Sequence, residues 1–147
     1  MKTTTINQLE NYIDQKVEIK GWVYNTRSIG KIWFLILRDG TGLLQCVVVK
    51  GEAAENTFDL EQKLNKEDSV SIQGIVRKEP RSIGGYEIGI TTIEIINHVK
   101  DDFPISSKEH GTDFLMSNRH LWLRSKKQNA ILKVRHHIVK ATRDFFD

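Results

Sequence analysis

Short apolar stretches separated by turn-forming residues run through the first hundred positions and predict β-structure. Five strands are predicted, over residues 16–25, 32–37, 43–49, 70–76 and 86–96. The sequence Asp-Gly-Thr-Gly at 39–42 is a strong turn signal, so the second and third strands are expected to form a hairpin. Residues 52–66 have apolar side chains at near-helical spacing, and Thr57 is their only β-branched residue. This pattern predicts a short helix. The order of three strands, a helix and two strands matches an all-β five-stranded OB-fold barrel with one inter-strand helix.

Alternation within these strands separates a core face from an outer face. Val17, Ile19 and Val23 share one parity of the first strand, and Gly21 between them predicts a bend or a close backbone approach. On the second strand, the pattern turns Trp33, Leu35 and Leu37 inward and Phe34, Ile36 and Arg38 outward.

The last third of the chain has a different pattern. Residues 100–124 are polar and contain Pro104, which predicts a linker after a barrel domain over residues 1–99. Ser125, followed three residues later by Gln128, forms a capping box, and apolar residues then repeat at helical spacing. This stripe consists of Ile131, Val134, Ile138, Ala141 and Phe145. Because such a stripe must be buried, residues 125–147 are predicted to begin a further domain.

Composition and charge narrow the possible classes of protein. Hydrophobic residues make up 39% of the chain, as in globular proteins, and no apolar run reaches the roughly 18–20 residues of a membrane span. The single cysteine, Cys46, excludes an internal disulfide and a multi-cysteine zinc site, and with no signal peptide a cytoplasmic location is expected. Residues 1–98 carry 12 basic against 13 acidic side chains, and residues 99–147 carry 10 against 6. Nucleic-acid binding by the first part would therefore depend on local groups rather than on bulk charge.

The outer face of the second and third strands carries the strongest candidate chemistry. A Phe34 ring beside the Gln45 amide could stack on an unpaired base while the amide reads the base edge. Arg27 and Lys31, on the adjoining loop, could hold phosphate. The alternative is that Phe34 belongs to the core and Gln45 to an ordinary surface, and the pattern alone leaves both interpretations open.

The remaining polar groups favour binding or packing over catalysis. The basic and aromatic stretch 119–127 is a second candidate for nucleic-acid binding, but a helix start that packs into a neighbouring domain is favoured. The five histidines lack the spacing of a metal site; the adjacent His136 and His137 would point in different directions on a helix. No phosphate-binding glycine loop, nucleophile elbow or pair of carboxylates is present, so no catalytic residue is assigned.

Two groups of residues resemble class IIb aminoacyl-tRNA synthetases. The first resembles their N-terminal anticodon-binding OB domain and consists of Gly21-Trp22-Val23, Arg27, Gly30, Phe34, Leu37-Arg38-Asp39, Gly42 and Gln45. The second consists of residues 111–115 and 119–125 and resembles the element of the asparaginyl members that leads into the first class II motif. The aspartyl members typically carry Tyr-Leu-x-Leu-Arg there, whereas this chain has His120 and Trp122. The resemblance covers nearly the whole chain.

The resemblance implies roles for three side chains in reading an anticodon. Phe34 would stack on the middle base, a uracil, and Gln45 would hydrogen-bond the edge of that base. Glu87 would read the first base, a guanine or modified guanine, because a carboxylate accepts from guanine N–H groups. No residue is assigned to the third base.

The resemblance also implies partners and cofactors. Arg27, with Asn25 and Lys31, would contact the backbone or bases of the anticodon loop of the asparagine isoacceptor of tRNA. The helix from Ser125 matches the motif 1 helix at the dimer interface of a homodimeric parent enzyme. Motifs 2 and 3, which bind ATP, Mg²⁺ and the amino acid, are absent from this sequence. The chain alone is therefore expected to be inactive and to need no cofactor.

Two alternatives belong to other functional classes. A free-standing OB module would bind single-stranded nucleic acid without base preference and with strong salt dependence. An assembly module would use the apolar stripe of residues 131–146 to associate with itself or with a catalytic partner.

Overall fold

The computed structural model describes residues 2–51, 57–106 and 108–147. The described residues form the strands β1 (Lys2–Thr3), β2 (Lys16–Ile29), β3 (Ile32–Arg38), β4 (Leu43–Val49), β5 (Ser69–Lys78) and β6 (Tyr86–Asn97). They also form three 3₁₀ helices, Ile6–Tyr12, Phe58–Gln62 and Ile83–Gly85, and three α-helices, α1 (Thr112–Ser117), α2 (Arg119–Trp122) and α3 (Lys126–Phe146). The chain divides into two compact units, Met1–Asp102 and Phe103–Asp147.

The first unit consists mainly of one six-stranded β-sheet. Antiparallel pairs join β2 to β3, β3 to β4, and β5 to β6, and β4 runs parallel to β6. Strand β2 also pairs with β5 in antiparallel fashion, so the sequence of pairings returns to the strand from which it started. The short strand β1 adds a parallel neighbour to β2.

The core of this unit follows the predicted alternation. Val17, Ile19 and Val23 on β2 are fully buried. The predicted inward residues of β3 are also fully buried, and β4 and β5 add further core side chains: Trp33, Leu35, Leu37, Leu44, Cys46, Val48, Val70, Ile72 and Val76. The prediction for Gly21 is confirmed, because a Cβ at this position would overlap the carbonyl oxygen of Arg38 on the neighbouring strand.

Two local features differ from the sequence-based prediction. Strand β2 continues past residue 25 to Ile29, because its pairing with β3 persists to Ile29 opposite Ile32. A turn at Gly30 and Lys31 then reverses the chain, and Gly30 has a φ of 60°, which glycine adopts readily. The loop predicted around Arg27 is therefore largely strand. In the region predicted as a helix over 52–66, the structure has the 3₁₀ helix Phe58–Gln62, and residues 52–56 lie outside the described residues.

The second unit contains helices throughout much of its length. Helices α1 and α2 lie within residues 100–124, which were predicted to be a linker. Helix α3 begins after Ser125, whose hydroxyl accepts a hydrogen bond from the Gln128 backbone N–H at 3.4 Å, so the predicted Ser125 cap is confirmed. The reciprocal half of the capping box is replaced, because the Ser125 backbone N–H donates to the Trp122 carbonyl oxygen. None of the described helices is both long and apolar enough to cross a membrane.

Candidate functional site

The outer face of the sheet presents two rows of residues, and each row takes one residue from each of the five strands β2, β3, β4, β6 and β5. Residues opposite one another in a β-ladder lie on the same face, with Cα atoms about 4.5–5.5 Å apart. The first row is Arg27, Phe34, Val47, Gly89 and Ile75. The second row is Asn25, Ile36, Gln45, Glu87 and Arg77. Gln45 and Glu87 are therefore directly opposed, and Phe34 lies on the same face, diagonally across from Gln45.

Phe34 lies on the outer face, as predicted, and is half-buried rather than part of the core. Arg27 faces it directly across β2 and β3, and the Arg27 Cζ atom lies 4.7 Å from the centroid of the ring. At this distance, the guanidinium and the aromatic ring form a cation–π pair. The extension of β2 beyond residue 25 creates this pair, since a loop would not fix Arg27 opposite the ring.

Gln45 and Glu87 face each other across the parallel strands β4 and β6. The Gln45 Nε2 atom lies 3.3 Å from the Glu87 Oε2 atom and 3.0 Å from the Ser82 hydroxyl oxygen. The Ser82 hydroxyl in turn lies 3.4 Å from Glu87 Oε2. These three groups form a hydrogen-bonded cluster, here called the amide cluster, in which Ser82 is buried and the other two are half-buried.

Sequence reasoning missed Ser82. This residue precedes the 3₁₀ turn Ile83–Gly85, in which Gly84 and Gly85 have φ values of 78° and 81°. These left-handed conformations bring the chain back so that Ser82 faces the start of β6. The Gly-Gly pair was the available signal for this reversal, but it does not indicate which loop side chain returns to the sheet.

Arg77 is a second residue that the sequence analysis did not single out. It pairs with Glu87 across β5 and β6 and is exposed. A Cβ at Gly89 would lie 3.3 Å from the Arg77 Cζ atom, so the guanidinium rests against the backbone of this glycine. The outer face therefore has a cation beyond Glu87 as well as one beside Phe34.

The structure places Asn25 and Lys31 differently from each other. Asn25 begins the second row, opposite Ile36, after a bulge at Tyr24, and its side chain is exposed. Lys31 is exposed in the turn between β2 and β3 and lies outside both rows. Among the described contacts, neither side chain touches Phe34 or the amide cluster.

The basic stretch 119–127 belongs to the second unit. The Arg124 Cζ atom lies 4.6 Å from the centroid of the Phe103 ring, and Leu121 and Trp122 are half-buried. Packing thus accounts for part of this stretch.

Metal and thiol chemistry have little support in the described part of the chain. No group of three or more His, Cys, Asp or Glu side chains able to hold a metal ion occurs among the residues searched there. Cys46 is fully buried, and burial raises the pKa of its thiol far above the usual range.

Comparisons with known proteins agree with this geometry. The family model tRNA_anti-codon, described as an OB-fold nucleic acid binding domain, matches residues 17–96, and the chain belongs to this family. The chain is 55% identical over 147 residues to the asparagine–tRNA ligase of Desulforamulus reducens and 52% identical to that of Pelotomaculum thermopropionicum. It spans 34% of the length of each, about a third of these curated relatives.

A solved structure agrees as well. The asparaginyl-tRNA synthetase from Pyrococcus horikoshii, crystallised with asparaginyl-adenylate, is similar with a TM-score of 0.85 and 34% identity. The similarity covers 99% of this chain and 34% of that protein. The resemblance drawn from the sequence is confirmed, and the first unit is an OB-fold domain.

Proposed function

We propose that this chain reads the anticodon of asparagine tRNA as the anticodon-binding part of an asparagine–tRNA ligase. The observation that carries the proposal is the placement of Phe34, Gln45 and Glu87 on three neighbouring strands of one outer face. An aromatic ring, an amide and a carboxylate within two strand spacings suit successive unpaired bases, which proteins bind by stacking and by hydrogen bonds to the base edges.

In this proposal, each side chain has a separate task. The Phe34 ring stacks on the middle base, a uracil, and Gln45 hydrogen-bonds its edge. Glu87 accepts hydrogen bonds from the N–H groups of the first base, a guanine or modified guanine. The half-exposed positions of all three leave them accessible to a ligand.

Two cations, Arg27 and Lys31, and the uncharged Asn25 contact the backbone or bases of the anticodon loop. Arg27 lies beside Phe34, so it can neutralise a phosphate next to the stacked base. Asn25 and Lys31 contribute from the start of the second row and from the β2–β3 turn. Close contacts of this kind suit a domain whose first 98 residues have nearly balanced charge.

We also infer that the five long strands close into the barrel predicted from the sequence. The support is the pairing of β2 with both β3 and β5, which joins the two ends of the strand order.

The activity of the complete enzyme is a further part of the proposal. Its catalytic domain would bind ATP and Mg²⁺, attach asparagine to tRNA in the cytoplasm, and form a homodimer. Helix α3 would belong to that domain as its motif 1 helix. The share of the relatives that the chain covers supports this division, because two thirds of each ligase lies outside it.

The test is a binding titration with two anticodon stem-loops. One carries the asparagine anticodon with its middle uracil, and the other carries a different middle base; both are titrated with the 147-residue chain at fixed salt. We expect clearly weaker binding of the replaced loop. Equal binding of both would instead indicate a general single-strand-binding module, and no binding to either would contradict anticodon reading.

The Phe34→Ala variant tests the stacking role directly. Loss of a stacked base costs about 1–3 kcal/mol, so affinity for the uracil loop should fall about 5- to 150-fold. Phe145→Ala is a matched control, because Phe145 is an exposed phenylalanine in the second unit. Unchanged affinity in a folded Phe34→Ala variant would remove Phe34 from the site.

A further inference from the structure

The amide cluster has a hydrogen-bond polarity that follows from its carboxylate. A carboxylate accepts hydrogen bonds and cannot donate one. The Ser82 hydroxyl, 3.4 Å from Glu87 Oε2, therefore donates its only hydrogen to that oxygen. Toward Gln45, 3.0 Å away, the Ser82 oxygen can then only accept.

This polarity determines which end of the Gln45 amide faces the cluster. The amide group near Ser82 must be the NH₂ donor, because Ser82 has no hydrogen left to give to a carbonyl oxygen. The same nitrogen also lies 3.3 Å from Glu87 Oε2, a longer contact than the one to Ser82 and one that is compatible with the same orientation. The NH₂ group of Gln45 thereby faces Ser82 and Glu87, and the acceptor Oε1 is left for a ligand.

An acceptor at this position discriminates between two pyrimidines of similar size. Uracil carries an N–H donor at ring position 3, whereas cytosine carries an acceptor lone pair there. Gln45 with Oε1 outward can accept from uracil, but it meets cytosine acceptor to acceptor. An amide free to rotate by 180° would lose most of this difference, since it could present NH₂ to cytosine instead.

We propose that Ser82 is a positioning residue that fixes the orientation of the Gln45 amide and thereby sets the preference for uracil over cytosine at the middle base. Ser82 acts through Gln45 and Glu87. Its burial and its place before the Gly84–Gly85 reversal hold its hydroxyl against the sheet. The inference rests on the proposed function, because it presupposes that Gln45 meets the middle anticodon base.

The experiment compares dissociation constants for two anticodon stem-loops that differ only in a middle uracil or cytosine. The measured quantity is the ratio of the two constants, which cancels losses common to both loops. The variants Ser82→Val and Ser82→Thr introduce side chains of nearly identical shape, but only threonine keeps a hydroxyl. We expect Ser82→Thr to retain the wild-type ratio and Ser82→Val to reduce it by about tenfold, the value of one hydrogen bond to a charged network.

Two further variants separate the polarity argument from packing. Glu87→Gln places an amide where the carboxylate was, so the cluster can accept or donate, and the ratio should fall although the shape is preserved. Ser117→Ala, a serine on α1 in the second unit, is the control and should keep both constants.

The outcomes distinguish this inference from the proposed function. A wild-type ratio of one overturns anticodon reading and the inference with it. A wild-type ratio well above one that Ser82→Val leaves unchanged overturns the inference alone. A Ser82→Val variant that weakens both loops equally also overturns it, because Ser82 would then only support the fold.

Discussion

Replacing Gly74 with alanine tests the packing that places Glu87 beside Gln45. Gly74 is buried on β5, where it pairs with Val17 on β2 and Ile90 on β6, next to an irregularity in the β5–β6 register. A Cβ at Gly74 would overlap the carbonyl oxygen of Gly89 and the Cγ2 atom of Ile88, and it would lie 3.0 Å from the Gly89 carbonyl carbon. Two of these atoms belong to the backbone, so no side-chain rotation relieves the overlap. Strands β5 and β6 would have to separate.

The magnitude follows from two opposing contributions. Overpacking a closely packed core costs about 1–3 kcal/mol, and rigid backbone neighbours place Gly74→Ala at the upper end. Alanine also restricts the unfolded chain, which returns about 0.4–1 kcal/mol. The net loss in free energy of unfolding is therefore about 2 kcal/mol. For a unit of about 100 residues, this corresponds to a fall in Tm of about 8–16 °C.

The assay is thermal unfolding followed by far-UV circular dichroism, with Gly40→Ala as the matched control. A Cβ at Gly40 would have no neighbour within 4 Å, so the same chemical change should move Tm very little. If Gly74→Ala and Gly40→Ala melt at the same temperature, the backbone of β6 does not lie within overlap distance of a Cβ at Gly74.

Two further predictions concern charge. Arg27→Ala should weaken stem-loop binding and lower the slope of log K against log salt by about one, because one phosphate contact is lost; Arg27→Lys should keep the slope, and an unchanged slope in Arg27→Ala would exclude the phosphate contact. The Ser71 and Thr3 hydroxyls donate to Glu18 and lower the pKa of its carboxyl below its usual value of 4.5. Because the folded-state pKa is the lower one, this contribution to stability is present at neutral pH and is lost as pH falls through the folded-state value. Glu18→Gln should therefore lower Tm at pH 7, and the difference from wild type should shrink in melts at pH 2–3; a constant difference would show that the carboxylate is not involved.

Local patterns predicted those parts of the fold that depend on neighbouring residues. Strict alternation on β3 predicted that Trp33 lies in the core and that Phe34 lies on the outer face. The turn signal at 39–42 predicted the β3–β4 hairpin. Asp39 explains the strength of that signal, since its Oδ1 atom accepts from the backbone N–H groups of Thr41 and Gly42. The cap at Ser125 was predictable for the same reason, because its partner is three residues away.

Features that depend on distant pairing were not predictable from such patterns. The extension of β2 to Ile29 requires β3 beside it, and polar residues such as Arg27 and Ser28 give no strand signal of their own. The parallel pairing of β4 with β6 joins residues 42 positions apart, so the contact between Gln45 and Glu87 could be expected only through the resemblance. Neither local patterns nor the resemblance predicted the role of Ser82, because a serine in a loop has no sequence pattern that indicates its hydrogen-bond partner.

The burial of Cys46 has a consequence for the motion of the strand that carries Gln45. Thiol reagents attack the thiolate, and Cys46 is both fully buried and held protonated by its raised pKa. Its reaction must therefore wait until β4 separates from its neighbours and admits water. Cys46 is the only cysteine in the sequence, so the rate of thiol labelling measures how often β4 opens. This measurement needs no engineered probe.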